Sequence, residues 1–294
     1  MNYYKRTADA LLKDLLDAFG AVLIEGPKWC GKTTTASQLA NSILRMQDPS
    51  MRDEYLVTAK TKPSILLNGD TPRLIDEWQD APMLWDAVRT TVDDRQIPGQ
   101  FILTGSNAVD KSQIHHSGAG RITRLRMLPM SLWESKESTG EVSLKELFNN
   151  PDYDIDGKMS KMSIEDLIFA ASRGGWPASL LARTPKAQLL VAKNYVQTIC
   201  LDDISGIDGK RRDAKLTSMI LRAYARNVST LVKKKSLIDD VISSGEVSCH
   251  TDTFDDYVSA LEKLFVIQNV SAWCPAIRSK TAIRSSVKRC FCDP

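Results

Sequence analysis

Eight residues, Gly26-Pro-Lys-Trp-Cys-Gly-Lys-Thr33, satisfy G-x-x-x-x-G-K-[ST], the pattern of a loop that cradles phosphate. Its glycines let the backbone curl so that successive amide N–H groups turn inward, and a following helix would add its positive end. A polyphosphate can be held there without a dedicated basic pocket. Gly26, Pro27, Lys28, Trp29, Cys30, Gly31, Lys32, Thr33 and Thr34 form the candidate nucleotide-binding set. Lys32 is expected to reach the β and γ phosphates, and the Thr33 hydroxyl to ligate Mg2+. Thr34 and Thr35 read as helix residues rather than additional ligands.

A second acidic site is needed to hold the metal, and Leu74-Ile75-Asp76-Glu77 supplies one at the end of an apolar run. Asp76 would hold Mg2+ directly or through water, and Glu77 would orient and deprotonate an attacking water, which points to hydrolysis. The same two carboxylates could instead cap the next helix. Thr104-Gly105-Ser106-Asn107 closes another apolar run. Thr104 and Ser106, with Asn107 as a third, are candidates for sensing the γ-phosphate, against plain turn chemistry. Gly118 to Arg126 holds three arginines after a glycine segment. Arg121 is the candidate for stabilising charge during transfer, within one chain or across a subunit contact. Arg124 and Arg126 read as the solvated face of an edge strand. His115-His116, Cys249-His250 and Cys290-x-Cys292 lack a four-ligand spacing, so no structural zinc is expected.

These residues need elements to carry them. Leu11, Leu12, Leu15, Leu16 and Phe19 recur at helical spacing, and Gly20 ends the pattern. Ala21 to Glu25 reads as a buried strand, and Thr33 to Leu44 resumes a helical pattern. Arg73 to Ile75 and Gln100 to Leu103 are two further buried strands, and Ile122 to Met127 is an outer one. Strands alternating with helices predict an α/β fold, a parallel sheet with helices on both faces. Asn149 to Lys161 is polar and reads as a linker, which sets a first domain at 1–150 and a second at 160–294. The second is mainly helical, over 164–171, 187–201, 213–227, 236–242 and 253–264, and Phe265 to Ala272 is a candidate strand. Three helices followed by a strand resemble a winged helix-turn-helix.

Taken together, the motifs resemble the prokaryotic AAA-type P-loop ATPases that carry a C-terminal domain of unknown function. The likeness runs through GPKWCGKTTTA, LIDEWQDAPMLWDAVR, GQFILTGS, GAGRITRLRMLPMSLWES, the GGWP at Gly174 to Pro177, and the final RSKTAIRSSVKRCFCDP. It implies a P-loop NTPase fold, ATP binding and hydrolysis through Lys32, Thr33, Asp76 and Glu77, and a winged-helix-like region after it. Members of the group commonly continue into a domain resembling restriction-endonuclease folds. On that basis the stop at Asp293-Pro294 is read as a truncated product or shortened gene, and Lys288 to Cys292 as a strand about to enter the missing domain. Cys290 and Cys292 stand where larger apolar residues are usual.

Composition narrows the functions that remain. The chain has 294 residues, 43% hydrophobic and 26% charged, which excludes disorder as the dominant state. Net charge is +3, with the positive excess in the second half, too little to argue for nucleic acid from bulk charge. Six irregularly spaced cysteines read as reduced thiols. The N-terminus has charges throughout its apolar stretch, and no apolar run reaches about 18 residues, so a cytoplasmic protein without a membrane span is expected. The leading reading is an Mg2+-dependent ATPase, with ATP/ADP as ligand and Mg2+ as cofactor, that drives a conformational switch or remodelling step. The absence of N-K-x-D argues against GTP, and the acidic pair favours water over a second substrate as acceptor. The alternative is a nucleic-acid-binding module with ATP as regulator, supported by Arg278, Lys280, Arg284, Lys288 and Arg289 and by Lys233 to Lys235. Thr251 to Leu264 has net charge −3 and would repel a phosphate backbone, so it suits a protein partner better. A scaffold with a decayed site is disfavoured because every expected phosphate and metal residue is present.

Overall fold

A computed structural model of the chain describes residues 3–106, 114, 116–243, 245, 247–272 and 286–294. The first half runs α1 (Thr7–Ala18), β1 (Ala21–Glu25), α2 (Lys32–Ala36), β2 (Ser42–Arg45), α3 (Arg52–Thr61), β3 (Arg73–Asp76), α4 (Leu84–Arg95), β4 (Phe101–Gly105) and β5 (Ile122–Arg126). The second half is α5 (Leu144–Asn149), α6 (Ile164–Arg173), α7 (Pro177–Leu181), α8 (Pro185–Thr198), a π-helical turn (Ile199–Asp203) leading into the short α9 (Ile204–Gly206), then α10 (Ala214–Arg226), α11 (Lys234–Ile242), α12 (Thr251–Lys263), β6 (Ile267–Val270) and β7 (Lys288–Phe291).

The five strands of the first half form one parallel sheet in the order β2-β3-β4-β1-β5. Parallel sheets are covered on both faces, and β1 and β4 accordingly carry apolar side chains on both. Val22 and Ile24 join Leu74, Ile102 and Leu125 under Leu12 and Leu16 of α1. Ala21 and Leu23 turn the other way, to Ile75, Phe101 and Leu103 under Trp78, Trp85 and Val88. The first of these clusters does not stop at the sheet. It continues through Cys30 to Trp176 and Tyr195, and on to Ile220, Leu237 and Leu261 of the second half.

The sequence predicts one helix over Thr33 to Leu44, and the structure divides it. The helix ends at Ala36, the chain turns, Asn41 N donates to the Pro72 carbonyl at 2.8 Å, and Ser42–Arg45 pairs in parallel with Arg73–Asp76. Ser-Ile-Leu-Arg fits either period over so few residues. The unpaired edge of β3 decides the outcome, because it offers the backbone of 42–45 a ladder that a surface helix would leave unused. β5 lies at the opposite edge, with Ile122 and Leu125 buried and Arg124 and Arg126 outward.

Lys288 to Cys292, read as a strand, is one over Lys288–Phe291, which pairs antiparallel with β6. Phe291 lies 6.2 Å from the Tyr224 ring, and Cys292 N donates to the Val266 carbonyl at 3.0 Å. The described cysteines, Cys30, Cys200, Cys249, Cys290 and Cys292, are free thiols. Arg278, Lys280, Arg284 and Cys274 lie outside the described residues. No described helix is long and apolar enough to cross a membrane.

After β7, Asp293 accepts the Gly175 amide at 3.0 Å, joining the end of the chain to the Gly174-Gly175-Trp176-Pro177 turn. Burial pushes its carboxyl up to about 6 from 3.8, against the Gly175 hydrogen bond and the nearby Arg173 charge, which favour ionisation. Since the folded value exceeds the unfolded one, the contribution of the neutral form is complete below about pH 4 and is lost as pH rises towards 6. Asp293→Asn keeps an acceptor for Gly175 and cannot ionise. Its melting temperature relative to the parent chain should therefore rise across that window and level off above it. A difference independent of pH would contradict this environment for Asp293.

Candidate functional site

β1 delivers the chain to Gly26, and the loop from there to Thr33 passes beneath residues Met127 and Leu128 that follow β5. A Cβ at Gly26 would lie 2.0 Å from the Met127 carbonyl oxygen, so only glycine fits. Gly31, at φ +101, precedes α2, whose first-turn N–H groups have no intrahelical partners. Gly31, Lys32, Thr33 and Thr34 line a cleft of about 860 Å³ together with Lys28, Trp29, Gln47, Glu77, Ser106 and residues of α7. Lys32 is buried, and its ammonium donates to the carbonyls of Gly26 at 3.0 Å and Pro27 at 2.8 Å. Burial holds its pKa below the ordinary lysine value, opposed by the nearby Cys30, Glu77 and Asp76. The Cys30 thiol is pushed up by burial and donates to the Met127 carbonyl. A neutral buried thiol is a packing group, not a nucleophile.

Parallel pairing places the ends of β1, β3 and β4 at one edge of the sheet. Ile75 is in register with Leu103, which puts Asp76 beside Thr104. Asp76 Oδ1 accepts the hydroxyls of both Thr33 and Thr104, each at 2.6 Å. Among the described residues nothing donates to its Oδ2. Glu77 adopts φ +55, a conformation uncommon for a side chain of its type. Its amide donates to Thr104 Oγ1 at 3.3 Å, and its carboxylate accepts the Ser106 hydroxyl at 2.9 Å and the Gln79 side-chain amide. Thr33, Asp76, Glu77, Thr104 and Ser106 thus form one connected network. Two adjacent hard oxygens, from Thr33 and Asp76, suit Mg2+, which takes few protein ligands and keeps several waters.

Arg121 is not part of this assembly. Its carbonyl accepts the Ala21 amide at 3.0 Å, at the start of β1, and its guanidinium pairs with Asp93 at 2.7 Å. A strand of five residues, about 15 Å, separates it from the loop end of the sheet, so the expectation that Arg121 reaches the site within one chain is overturned. The flexibility of the neighbouring glycines cannot offset the wrong end of a strand. Arg124 pairs with Glu25 at 2.9 Å, and Arg126 lies 5.2 Å from the Phe265 ring. Asn107 and His115 lie outside the described residues.

Several residues near the site carry no recognisable motif. Gln79 emerges from the turn after Glu77 and reaches back to it. Lys28 pairs with Asp203 of the π-helical turn at 2.6 Å, and the exposed Trp29 ring lies 6.0 Å from Tyr195. Pro177 approaches Gly31, and Arg6 donates to the Cys30 carbonyl at 2.7 Å. Lys28 and Trp29 belong to the loop, but their partners Asp203 and Tyr195, like Pro177, come from the second half and Arg6 from the N-terminal segment, and no spacing rule links these to the loop.

Residues 18–136 match the family model described as an AAA domain, and residues 164–294 match a domain of unknown function. A Walker-type ATPase of Pyrococcus abyssi has the same P-loop fold, with a TM-score of 0.51 at 13% identity over 90% of this chain and 91% of that one. Proteins of Mycobacterium tuberculosis and Mycobacterium bovis are each 24% identical over 279 residues, covering 92% of this chain and 54% of theirs. The chain therefore spans about half the length of the curated relatives it matches.

The Gly26–Thr33 loop makes a steric prediction. Gly26→Ala should lower unfolding free energy by roughly 1–3 kcal/mol in chemical denaturation, because the clash is with backbone. Gly120→Ala, at φ +78 with nothing within 4 Å of the added carbon, meets only backbone strain and should cost no more than about 1 kcal/mol. Equal costs would contradict the close approach at Gly26.

Proposed function

We propose that this chain binds ATP with Mg2+ in the cleft and hydrolyses it to ADP and phosphate. The observation that carries the reading is the network in which Thr33 and Asp76 meet at one oxygen while Glu77, two hydrogen bonds away, faces the same cleft. Thr33 and Asp76 would hold Mg2+, which supplies charge neutralisation for the phosphate oxygens. The loop amides bind the β and γ phosphates, and Lys32 exchanges the Gly26 and Pro27 carbonyls for phosphate oxygens. Glu77 accepts a proton from water as the water oxygen bonds to the γ-phosphorus. The bond from that phosphorus to the β–γ bridging oxygen breaks, and its electron pair leaves on ADP. Ser106 has one hydroxyl proton. Once a γ-phosphate oxygen takes it, Glu77 keeps Gln79 as its donor.

Contacts of the second half support the use of this reaction as a switch. Lys28 of the loop pairs with Asp203 and the Trp29 ring lies 6.0 Å from Tyr195, so a loop rearranged around phosphate would disturb both. In this reading residues 1–150 form the ATPase unit and 160–294 a unit that moves against it. The order α10, α11, α12, β6, β7, with β6 and β7 antiparallel, supports a winged-helix arrangement. Asp255 and Asp256 of α12 are engaged by Lys234, Lys210 and Arg212. That acidic helix favours a protein contact over a phosphate backbone.

Phosphate release without a second substrate and calorimetric titration with ATP and ADP test the proposal. Lys32→Ala should lower turnover about a hundredfold or more. Glu77→Gln should retain ATP binding and lose turnover to a similar extent. Gln79→Leu should leave binding intact and lower kcat about tenfold, the scale of one general-base contact weakened. Absence of nucleotide binding, or turnover of Glu77→Gln at the parent rate, would sink the hydrolytic reading.

A further inference from the structure

We propose that Arg6 is a positioning residue that presets the phosphate loop for its anionic ligand, an inference that rests on the nucleotide reading above. Arg6 lies outside residues 18–136, which match the AAA model. It is only 8% exposed, and its guanidinium makes two hydrogen bonds and one ion pair. One terminal nitrogen donates to the Cys30 carbonyl at 2.7 Å and the other to the Leu128 carbonyl at 2.7 Å, while Nε lies 3.1 Å from Glu134. The loop is thereby tied to the segment that leaves β5.

A trans peptide points its C=O and N–H in opposite directions. Holding the Cys30 carbonyl against Arg6 therefore turns the Gly31 N–H away from Arg6, towards the cleft that Gly31 lines. Released from Arg6, the same peptide could rotate and present a carbonyl oxygen to a phosphate, replacing attraction with repulsion. Gly31 has no Cβ to resist that rotation. The bracket thus supplies a constraint that the glycine cannot.

Arg6 is itself held. Asp9 accepts the Arg6 amide at 2.9 Å and the Tyr3 hydroxyl at 2.6 Å, and that hydroxyl lies 3.0 Å from Thr35 of α2. Glu134 accepts the amides of Thr7 at 2.7 Å and Ser131 at 2.8 Å. Burial alone would raise its pKa, but those amides and Arg6 hold the carboxyl below its ordinary value, so it stays ionised opposite the guanidinium. Lysine cannot reproduce the planar fork.

The test measures ATP and ADP affinity with Mg2+ on the full chain, for the parent, Lys32→Ala, Arg6→Ala, Arg6→Lys and Glu134→Gln, with circular dichroism to establish folding. Arg6→Ala should bind both nucleotides at least about tenfold more weakly, the scale of a lost charge-assisted hydrogen bond. Guanidinium ion, far below denaturing concentrations, should restore part of that affinity and leave the parent chain unchanged. Glu134→Gln should lower the melting temperature yet stay within about threefold of the parent in affinity, because the bonds from Arg6 to the two carbonyls persist. If Arg6→Ala does not fold, Arg6→Lys must show the affinity loss. Parent-like affinity in a folded Arg6 variant overturns the proposal. So does a loss that tracks melting temperature equally in Glu134→Gln and is not relieved by guanidinium. Nucleotide binding by the parent but not by Lys32→Ala keeps the nucleotide reading intact in either case, whereas no binding by the parent overturns both.

Discussion

A phosphate loop must hold unsatisfied amide groups and an ammonium at one point before any anion arrives. That arrangement is costly, since buried polar groups without partners destabilise a fold. Here the cost is offset locally. Lys32 donates to two loop carbonyls, Arg6 fastens a third, and the Cys30 thiol rests on Met127. Each contact uses a backbone oxygen, three of them in the loop and one on Met127 after β5. A phosphate can then replace the carbonyls at Lys32 without the loop refolding, which is what preorganisation requires of a binding site.

The sheet supplies the second requirement, convergence. Because β1, β3 and β4 are parallel, their ends share one edge, and residues remote in sequence become neighbours there: Thr33, Asp76 and Thr104 meet at one carboxylate oxygen. The general rule that ligands bind outside the carboxyl ends of parallel strands follows from this geometry. The same rule keeps Arg121, at the start of β5, away from the site of its own chain. Two arginines on the same strand are no closer to use, since Arg124 is paired with Glu25 and Arg126 turns to Phe265.

What could be read from the sequence was what depends on local spacing. The glycine loop, the acidic end of β3 and the polar end of β4 each declare themselves within a few residues, and the alternation of buried strands with helices was enough for a parallel sheet. The short strand Ser42–Arg45 was not legible, because four residues satisfy a helical period as well as a strand and only the free edge of β3 distinguishes them. Arg121 was misplaced for a related reason: glycines nearby describe local freedom, whereas the end of the strand on which a residue falls is a property of the whole sheet. Gln79, Lys28 and Arg6 act through contacts whose partners are set by tertiary packing, and no motif marks such pairs in advance.

The contacts between the halves have a physical consequence for the site. A core that ran only through the sheet would let the loop respond to a ligand alone, but the cluster beneath α1 passes through Cys30 and Trp176 to the helices of the second half. Trp176 packs at a tilt against Tyr195 with ring centroids 4.1 Å apart, and Tyr195 in turn lies 6.0 Å from the Trp29 ring on the loop. Close-packed side chains transmit displacement because they have little free volume to absorb it. Gly174 and Gly175 make the turn that leads to Trp176 and Pro177: an added Cβ would lie 2.3 Å from Asp293 at the first and 2.1 Å from the Met130 carbonyl at the second. The turn is therefore held between the segment after β5 and the residues after β7, so the loop, the sheet edge and the C-terminal hairpin meet through one set of backbone contacts. A shift of the loop by even a fraction of an ångström has to be accommodated by that set. The Lys28–Asp203 ion pair is half exposed on the lysine side, so water can solvate the ammonium when that contact opens, whereas Asp203 is largely buried.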